Sequence, residues 1–367
     1  MKLATFSIAT PVGRVNRLGA LLGETVDDGV VDLTSAFAAQ LAAETDETLP
    51  KQHAELRCPP DMMAWLNGGP RSRKAAEEAL AFVRRKLANE ADPRGLDDAR
   101  LVFQRGEMQL LSPLPRPRSL RDFSVYYDHM SLARDPRVIS EKPPAFYKWP
   151  VYYVGTPETV RGPEDPVPYP YFTNMLDLEI EVAIVIGKEG RNLTVDQARE
   201  HIAGYTIFVD STCRDGRDRE WLGQTKRKNF HSALGPVLVT SDEIDEANLD
   251  VRLSVDGETW YEGNTGTRRH YLAEQLVAFL SDNETVYPGD VIGIGTIGAS
   301  CSMDTRRWIK VGQTATFDVQ GIGSMSLKVV EGEHVVDYVN GMKGQLEAPA
   351  SVFDENNPLA GRTIFDS

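Results

Sequence analysis

Asp177-Leu-Glu-Ile-Glu-Val-Ala-Ile-Val-Ile-Gly187 is the stretch of this 367-residue chain on which the fold turns. Leu178, Ile180, Val182, Ile184 and Ile186 recur at every second position, which is the period of a β-strand, and so share one face. Glu179 and Glu181 fall together on the other face, and Ala183 and Val185 continue it. Taken alone, the two glutamates read as residues facing water. Two features argue otherwise. The far end of their face is apolar, which points to burial on both sides. Like charges two residues apart also repel unless a cation neutralises them.

Working outward, Val195–His201 reads as a short helix and Tyr205–Asp210 as the strand that follows it, so Asp210 can return beside the glutamate pair. Three convergent carboxylates without a nearby Cys or His ligand favour Mg²⁺, Mn²⁺ or Ca²⁺ over Zn²⁺. A fourth carboxylate, Asp122, lies in RDFSVYYDHM, seven residues before His129. A histidine beside such a metal can deprotonate water near neutral pH, although a lone histidine is more often structural. After Asp210 come Arg214, Arg217, Arg219, Lys226, Arg227 and Lys228. Most of these suit a solvated loop; one or two facing the carboxylates would bind a substrate carboxylate or a developing oxyanion.

The first hundred or so residues alternate short elements. Met1–Ile8 reads as a strand, Leu18–Leu22 and Val30–Leu33 as a hairpin-like pair, Thr34 as the N-cap of a helix over Ser35–Glu44, and Arg71–Asn89 as a longer helix. Gly106, Pro113, Pro115 and Pro117 mark a boundary, so residues 1–110 are expected to form a small α/β domain and 111–344 a second, strand-dominated α+β domain. Lys142–Tyr171 carries eight prolines and should be irregular or edge structure. A hairpin is expected over Leu249–Val255 and Glu258–Glu262 around Asp256-Gly257, a helix over Tyr271–Ser281, and a C-terminal arm over 345–367.

The net charge of −14, with no basic run interleaved with aromatics, argues against nucleic acid. No run approaches the roughly 18 apolar residues of a membrane span. Three dispersed cysteines give neither a disulfide framework nor a zinc pattern, so a reduced, cytoplasmic protein is expected.

Together the site candidates resemble the fumarylacetoacetate hydrolase family, in order and spacing, from about Pro117 to Val339. The markers are Asp122 with His129, Glu179-x-Glu181 in a strand ending at Gly187, and GYTIFVD-STCRD with Asp210 and Arg214. Further on come Lys228-Asn-Phe before LGPVLVT, Asn264-Thr265, and TVYPGDVIGIGT ending at Thr296. The seven-residue Asp-to-His spacing and WPVYYVG resemble the longer, fumarylacetoacetase-type members. The resemblance implies a mixed β-roll or sandwich catalytic domain, dimeric through that domain, in which Asp122, Glu179, Glu181 and Asp210 hold a divalent cation, usually Mg²⁺ or Ca²⁺. It implies that His129 is the base, that Arg214 and Lys228 stabilise charge, and that Tyr153, Thr296 and Arg217 contact a small oxo-acid or diketone substrate. Short members carry the histidine's partner carboxylate three residues on, where this chain has Leu132; longer members supply it after the GT turn, where Asp304 stands nearest. Arg217 replaces the usual Gln and Ser124 a substrate-contacting Tyr, which leaves the substrate open.

The activity so implied is hydrolysis of a carbon–carbon bond in a β-diketo acid or acylpyruvate. The alternatives are a decarboxylase, dehydratase or isomerase of 2-oxo acids on the same site, and a non-catalytic metal-binding homodimer. Gly293-x-Gly295-x-x-Gly298 matches the dinucleotide fingerprint, but Ala-Ser-Cys-Ser-Met-Asp after it promises neither an amphipathic helix nor a ribose-binding acid. Those glycines are expected instead to let backbone and the Thr296 hydroxyl approach a bound acid.

Overall fold

Every residue of the strand Leu176–Ile186 is buried, and its alternation divides between two cores. Leu178, Ile180, Val182, Ile184 and Ile186 pack into one; Ala183 and Val185 pack into the other, with Phe37, Trp65, Val83, Phe208 and Leu234. This computed structural model describes residues 1–132, 148–215 and 223–333. Among them the strand is central in a 12-stranded sheet, flanked by Ile202–Cys213 and Asp290–Gly293. A second sheet of five strands, including the Asp250–Val255 and Glu258–Asn264 hairpin, supplies Leu253, Phe317 and Leu327 to the first core. The architecture is sheet-dominated with few helices, as the α+β reading expects.

Helices Leu33–Glu44, Pro50–Arg57 and Met62–Leu87 contribute to the second core. Asp32, not Thr34, caps the first: its carboxylate accepts the Ser35 N–H at 3.0 Å, while the Thr34 hydroxyl donates to the Cys58 carbonyl. The cap must precede the helix by the offset that lets its side chain reach the third helical amide, and only Asp32 does. Gly69 (φ 56°, ψ −137°) divides Met62–Leu87 into two helical stretches, and the second opens at Pro70, beside the expected start at Arg71; the first was not expected.

Strand Lys2–Thr10 pairs with both Gly13–Leu21 and Ser232–Thr240, so residues on either side of position 110 share one sheet, and Met1–Glu331 is one compact unit. Within the proline-rich segment, Tyr152–Gly155 is the edge strand beside Ser119–Phe123, and Val167–Tyr169 ends the smaller sheet. Residues 142–147 of that segment, and the expected arm 345–367, lie outside the described residues. Among the described residues no helix is long and apolar enough to cross a membrane.

Candidate active site

Three strands of four neighbours carry the predicted carboxylates to one place. In the antiparallel pair Leu176–Ile186 and Ile202–Cys213, Glu179 lies directly opposite Asp210. The next strand, Asp290–Gly293, places Gly293 beside Asp122 of Ser119–Phe123, and Asp122 in turn faces Tyr153. Carboxylate oxygens of Asp122, Glu181 and Asp210 all lie within 4.8 Å of one another, and all three residues are buried. Glu179 falls into a neighbouring group with His129 and Cys301.

The surroundings of the two glutamates differ. Glu179 is saturated by donors: Lys228 Nζ at 2.9 Å, the Thr212 hydroxyl at 2.8 Å, the Thr296 hydroxyl at 2.7 Å, and the Arg214 guanidinium. Burial alone would raise its pKa, but Arg214, Lys228 and His129 overcome that and hold it well below the usual carboxylate range. Glu181 receives the Gly295 N–H at 3.1 Å and a longer approach from Thr296, and shares a side-chain hydrogen bond with Asp122, so no cation contacts it among the described residues. Burial, then the charges of Asp122 and Asp210, push it well above that range. Asp122 is raised by burial and by Asp210, and its Oδ1 is buried without a hydrogen-bond partner. Asp210 is raised as well, since burial outweighs its contacts with Lys228 and with the Tyr153 hydroxyl at 2.9 Å.

Arg214 and Lys228 are buried in the carboxylate layer, not solvated. Arg214 Nε donates to Asp177 at 2.7 Å, and Lys228 bridges Glu179 and Asp210, whose charges raise its pKa against the cost of burial. Asp177, which sequence reasoning passed over, also accepts the Ser302 N–H at 2.7 Å. The period-2 alternation that paired Glu179 with Glu181 already put Asp177 on their face. Asp304 reaches His129: its Oδ2 lies 3.3 Å from Nδ1, and the Cys301 thiol donates to the same oxygen at 3.0 Å. On the other side of the ring, Nε2 is 3.5 Å from Glu179. A cavity of about 350 Å³ opens on this layer, lined by Asp122, His129, Tyr153, Glu179, Lys228 and Thr296, and by the unpredicted Met175, Trp308 and Arg306. No sequence signal marks the last three. Arg217 and Arg219 lie outside the described residues.

The glycines of the Gly293–Gly298 run serve the carboxylates. A Cβ on Gly295 (φ +119°) would meet the Phe123 carbonyl at 2.6 Å, so only glycine lets its N–H reach Glu181. A Cβ on Gly293 would fall 2.3 Å from Asp122 Oδ1. Gly293→Ala should therefore displace the Asp122 carboxylate, cost about 1–3 kcal/mol in thermal unfolding, and abolish any stabilisation by added Mn²⁺. A variant that keeps the full Mn²⁺-induced shift would show that Asp122 takes no part in cation binding.

Six carboxylates (Asp122, Asp177, Glu179, Glu181, Asp210 and Asp304) thus converge with two permanently charged cations, Arg214 and Lys228, in a buried layer. That excess, the orphaned Asp122 oxygen and the all-oxygen cluster fit a hard divalent cation. This sheet-borne cluster under a small cavity defines a class of acidic, cation-binding enzyme sites. Residues 120–330 match the family model for the fumarylacetoacetate (FAA) hydrolase C-terminal domain, and the chain belongs to that family. Human mitochondrial oxaloacetate tautomerase FAHD2A is 31% identical over 69% of this chain and 77% of its own, and the Bos taurus FAHD2A protein is 30% identical over 82% and 84%. Maleylpyruvate hydrolase from Sphingobium sp. SYK-6, solved with manganese(II) and pyruvate, shares the fold with TM-score 0.61 at 21% identity. That likeness covers 91% of this chain and 100% of the hydrolase. A 5-carboxymethyl-2-hydroxymuconate delta-isomerase from Mycobacterium smegmatis shares it with TM-score 0.58 at 21% identity, over 90% and 100%. Proteins named as hydrolase and as isomerase thus share this fold, relatives at 30–31% identity are named tautomerases, and this chain is an enzyme of the family.

Proposed function

We propose that this protein cleaves a carbon–carbon bond in a small β-diketo acid of the acylpyruvate type, with a divalent cation held by Asp122, Glu181 and Asp210 and bordered by Glu179. The observation that carries the reading is the surplus of buried carboxylates beside a His–Asp pair that opens on the same cavity. Bound there, a divalent cation supplies Lewis-acid stabilisation of the negative charge that develops on the oxygens of an enolised oxo acid. Mg²⁺ is favoured, with Mn²⁺ and Ca²⁺ equally compatible with oxygen ligands.

The residues divide the remaining work. Asp304 accepts a hydrogen bond from the Nδ1–H of His129, which leaves Nε2 to take a proton from water. Glu179 does not compete for that role, because Lys228, Arg214, Thr212 and Thr296 already hold its charge. The hydroxide adds to the distal carbonyl carbon, and Lys228 and Arg214, which line the cavity, are the cations proposed to stabilise the oxyanion. The bond between that carbon and its neighbour then breaks, its electron pair passes into the enolate of the departing oxo acid, and a proton from His129 completes that product. Tyr153 and Thr296 position the substrate. A homodimer formed through the sheet domain remains part of the proposal.

A second reading is favoured by the tautomerase names among the relatives: His129 would move a proton between carbon and oxygen of a 2-oxo acid, with no bond cleaved. Product analysis separates the two. Fumarylpyruvate yielding fumarate and pyruvate supports cleavage; its recovery intact, alongside accelerated loss of enol-oxaloacetate absorbance, supports the second. In either case EDTA should abolish turnover and Mg²⁺ or Mn²⁺ restore it. The unfolding transition should also rise with cation, by about 2.7 kcal/mol at a hundredfold excess over Kd. Full activity after exhaustive chelation would rule out the cation.

A further inference from the structure

We propose that Arg306 binds a second, distal carboxylate of the substrate, so that this site selects 2-oxo acids bearing two carboxylates over those bearing one. The inference rests on the oxo-acid reading of the site and sharpens it.

Arg306 follows the short helix Ser302–Thr305, whose Asp304 meets His129, and it takes the left-handed conformation (φ 60°, ψ 25°). That backbone is uncommon for an arginine, and it separates two adjacent guanidinium groups. Arg307 turns away to pair with Glu258 at 2.7 Å, whereas Arg306 lines the cavity. The inner cations already carry protein carboxylates: Lys228 pairs with Glu179 and Asp210, Arg214 with Asp177 and Glu179. Arg306 is exposed, and among the described residues no hydrogen bond or ion pair holds it. It is a cation of the cavity with its full donor fork available.

The walls beside it are Met175, Met303 and Trp308. Apolar walls lower the local dielectric, which strengthens a guanidinium–carboxylate pair formed between them. The planar fork matches a carboxylate through two parallel N–H···O bonds, which an ammonium cannot reproduce. At about 350 Å³ the cavity is at the small end for ligand sites. An acid whose oxo-carboxylate end lies at the carboxylate layer therefore extends its other end toward Arg306.

Oxaloacetate and 2-oxobutanoate share chain length and oxo group and differ in the distal carboxylate. Binding of each to wild type, R306Q and R306K is measured by titration calorimetry with Mg²⁺ present, and turnover of oxaloacetate is followed in parallel. R306Q should weaken oxaloacetate by roughly tenfold or more and change 2-oxobutanoate less than twofold. R306K should fall between, and any loss in turnover should appear in KM and not in kcat. Equal weakening of both acids, or unchanged oxaloacetate binding in R306Q, overturns the assignment. Selective weakening in a protein that turns over no oxo acid upholds Arg306 while removing the proposed activity. A wild-type protein that binds neither acid removes both.

Discussion

Glu181→Gln should make the cation-free protein more stable and the enzyme inactive. Asp122, Glu181 and Asp210 press three carboxylates together in a buried layer, and among the described residues neither lysine nor arginine pairs with Glu181. Removing its charge relieves repulsion that the fold otherwise bears. The new amide also brings N–H donors close to Asp122, whose Oδ1 has no partner. Without added cation, the variant should therefore unfold later than wild type by about 1 kcal/mol or more at neutral pH. Turnover should fall beyond the roughly 10- to 100-fold that loss of an outer-shell partner costs a metal site, and added Mn²⁺ should no longer raise the unfolding transition. The opposite signs make the test sharp. A variant both less stable and still responsive to Mn²⁺ would mean that Glu181 is structural and the cation lies elsewhere.

The alternation that made Glu179 and Glu181 neighbours was legible because period 2 is a local property. The same alternation correctly divided the apolar residues of that strand between two cores. Register was not legible: that Glu179 pairs with Asp210 follows from the length of the connecting loop and helix, which periodicity does not encode. Helix Pro50–Arg57 buries only Ala54, so its sequence PKQHAELR shows no apolar stripe to find. The helical stretch that precedes Gly68-Gly69-Pro70 was missed, while the one that follows this break was legible from its own apolar spacing.

At the site, charge type was readable and charge partnership was not. Nothing in the sequence says that Glu179 collects four donors while Glu181, two residues away on the same face, collects almost none. That asymmetry arises from Thr212, Arg214, Lys228 and Thr296, which different loops and strands bring in. It sets the chemistry: one glutamate is locked as a fixed anion, and the other is left for a cation. Arg306 was invisible for a related reason, since its direction depends on one left-handed residue after a four-residue helix.

His129→Ala should lower kcat by about 10²- to 10⁴-fold, the range for loss of a general base, with little change in KM. Asp304 contacts His129 and the Cys301 thiol but is not one of the three carboxylates grouped around the proposed cation, so it is a positioning residue whose loss should act on turnover through the imidazole. Asp304→Asn removes the charge that fixes the Nδ1 proton and should cost roughly 10- to 100-fold in kcat. In the double variant the Asp304 penalty should vanish, because no imidazole remains to be oriented; its kcat should match that of His129→Ala alone. Asp304→Glu, which keeps the charge and adds one methylene, should recover part of the loss. A merely structural Asp304 predicts something else: penalties that multiply in the double variant, accompanied by a lowered unfolding transition in Asp304→Asn. Measured kcat for the four proteins, with their unfolding curves, therefore decides whether the 3.3 Å contact is a working pair or a packing contact. The same set bears on the reaction class. If His129 activates water, the losses appear in release of pyruvate from fumarylpyruvate. If it moves a proton at carbon, they appear as well in exchange of solvent deuterium into the oxo acid's α-position, with no fragment released.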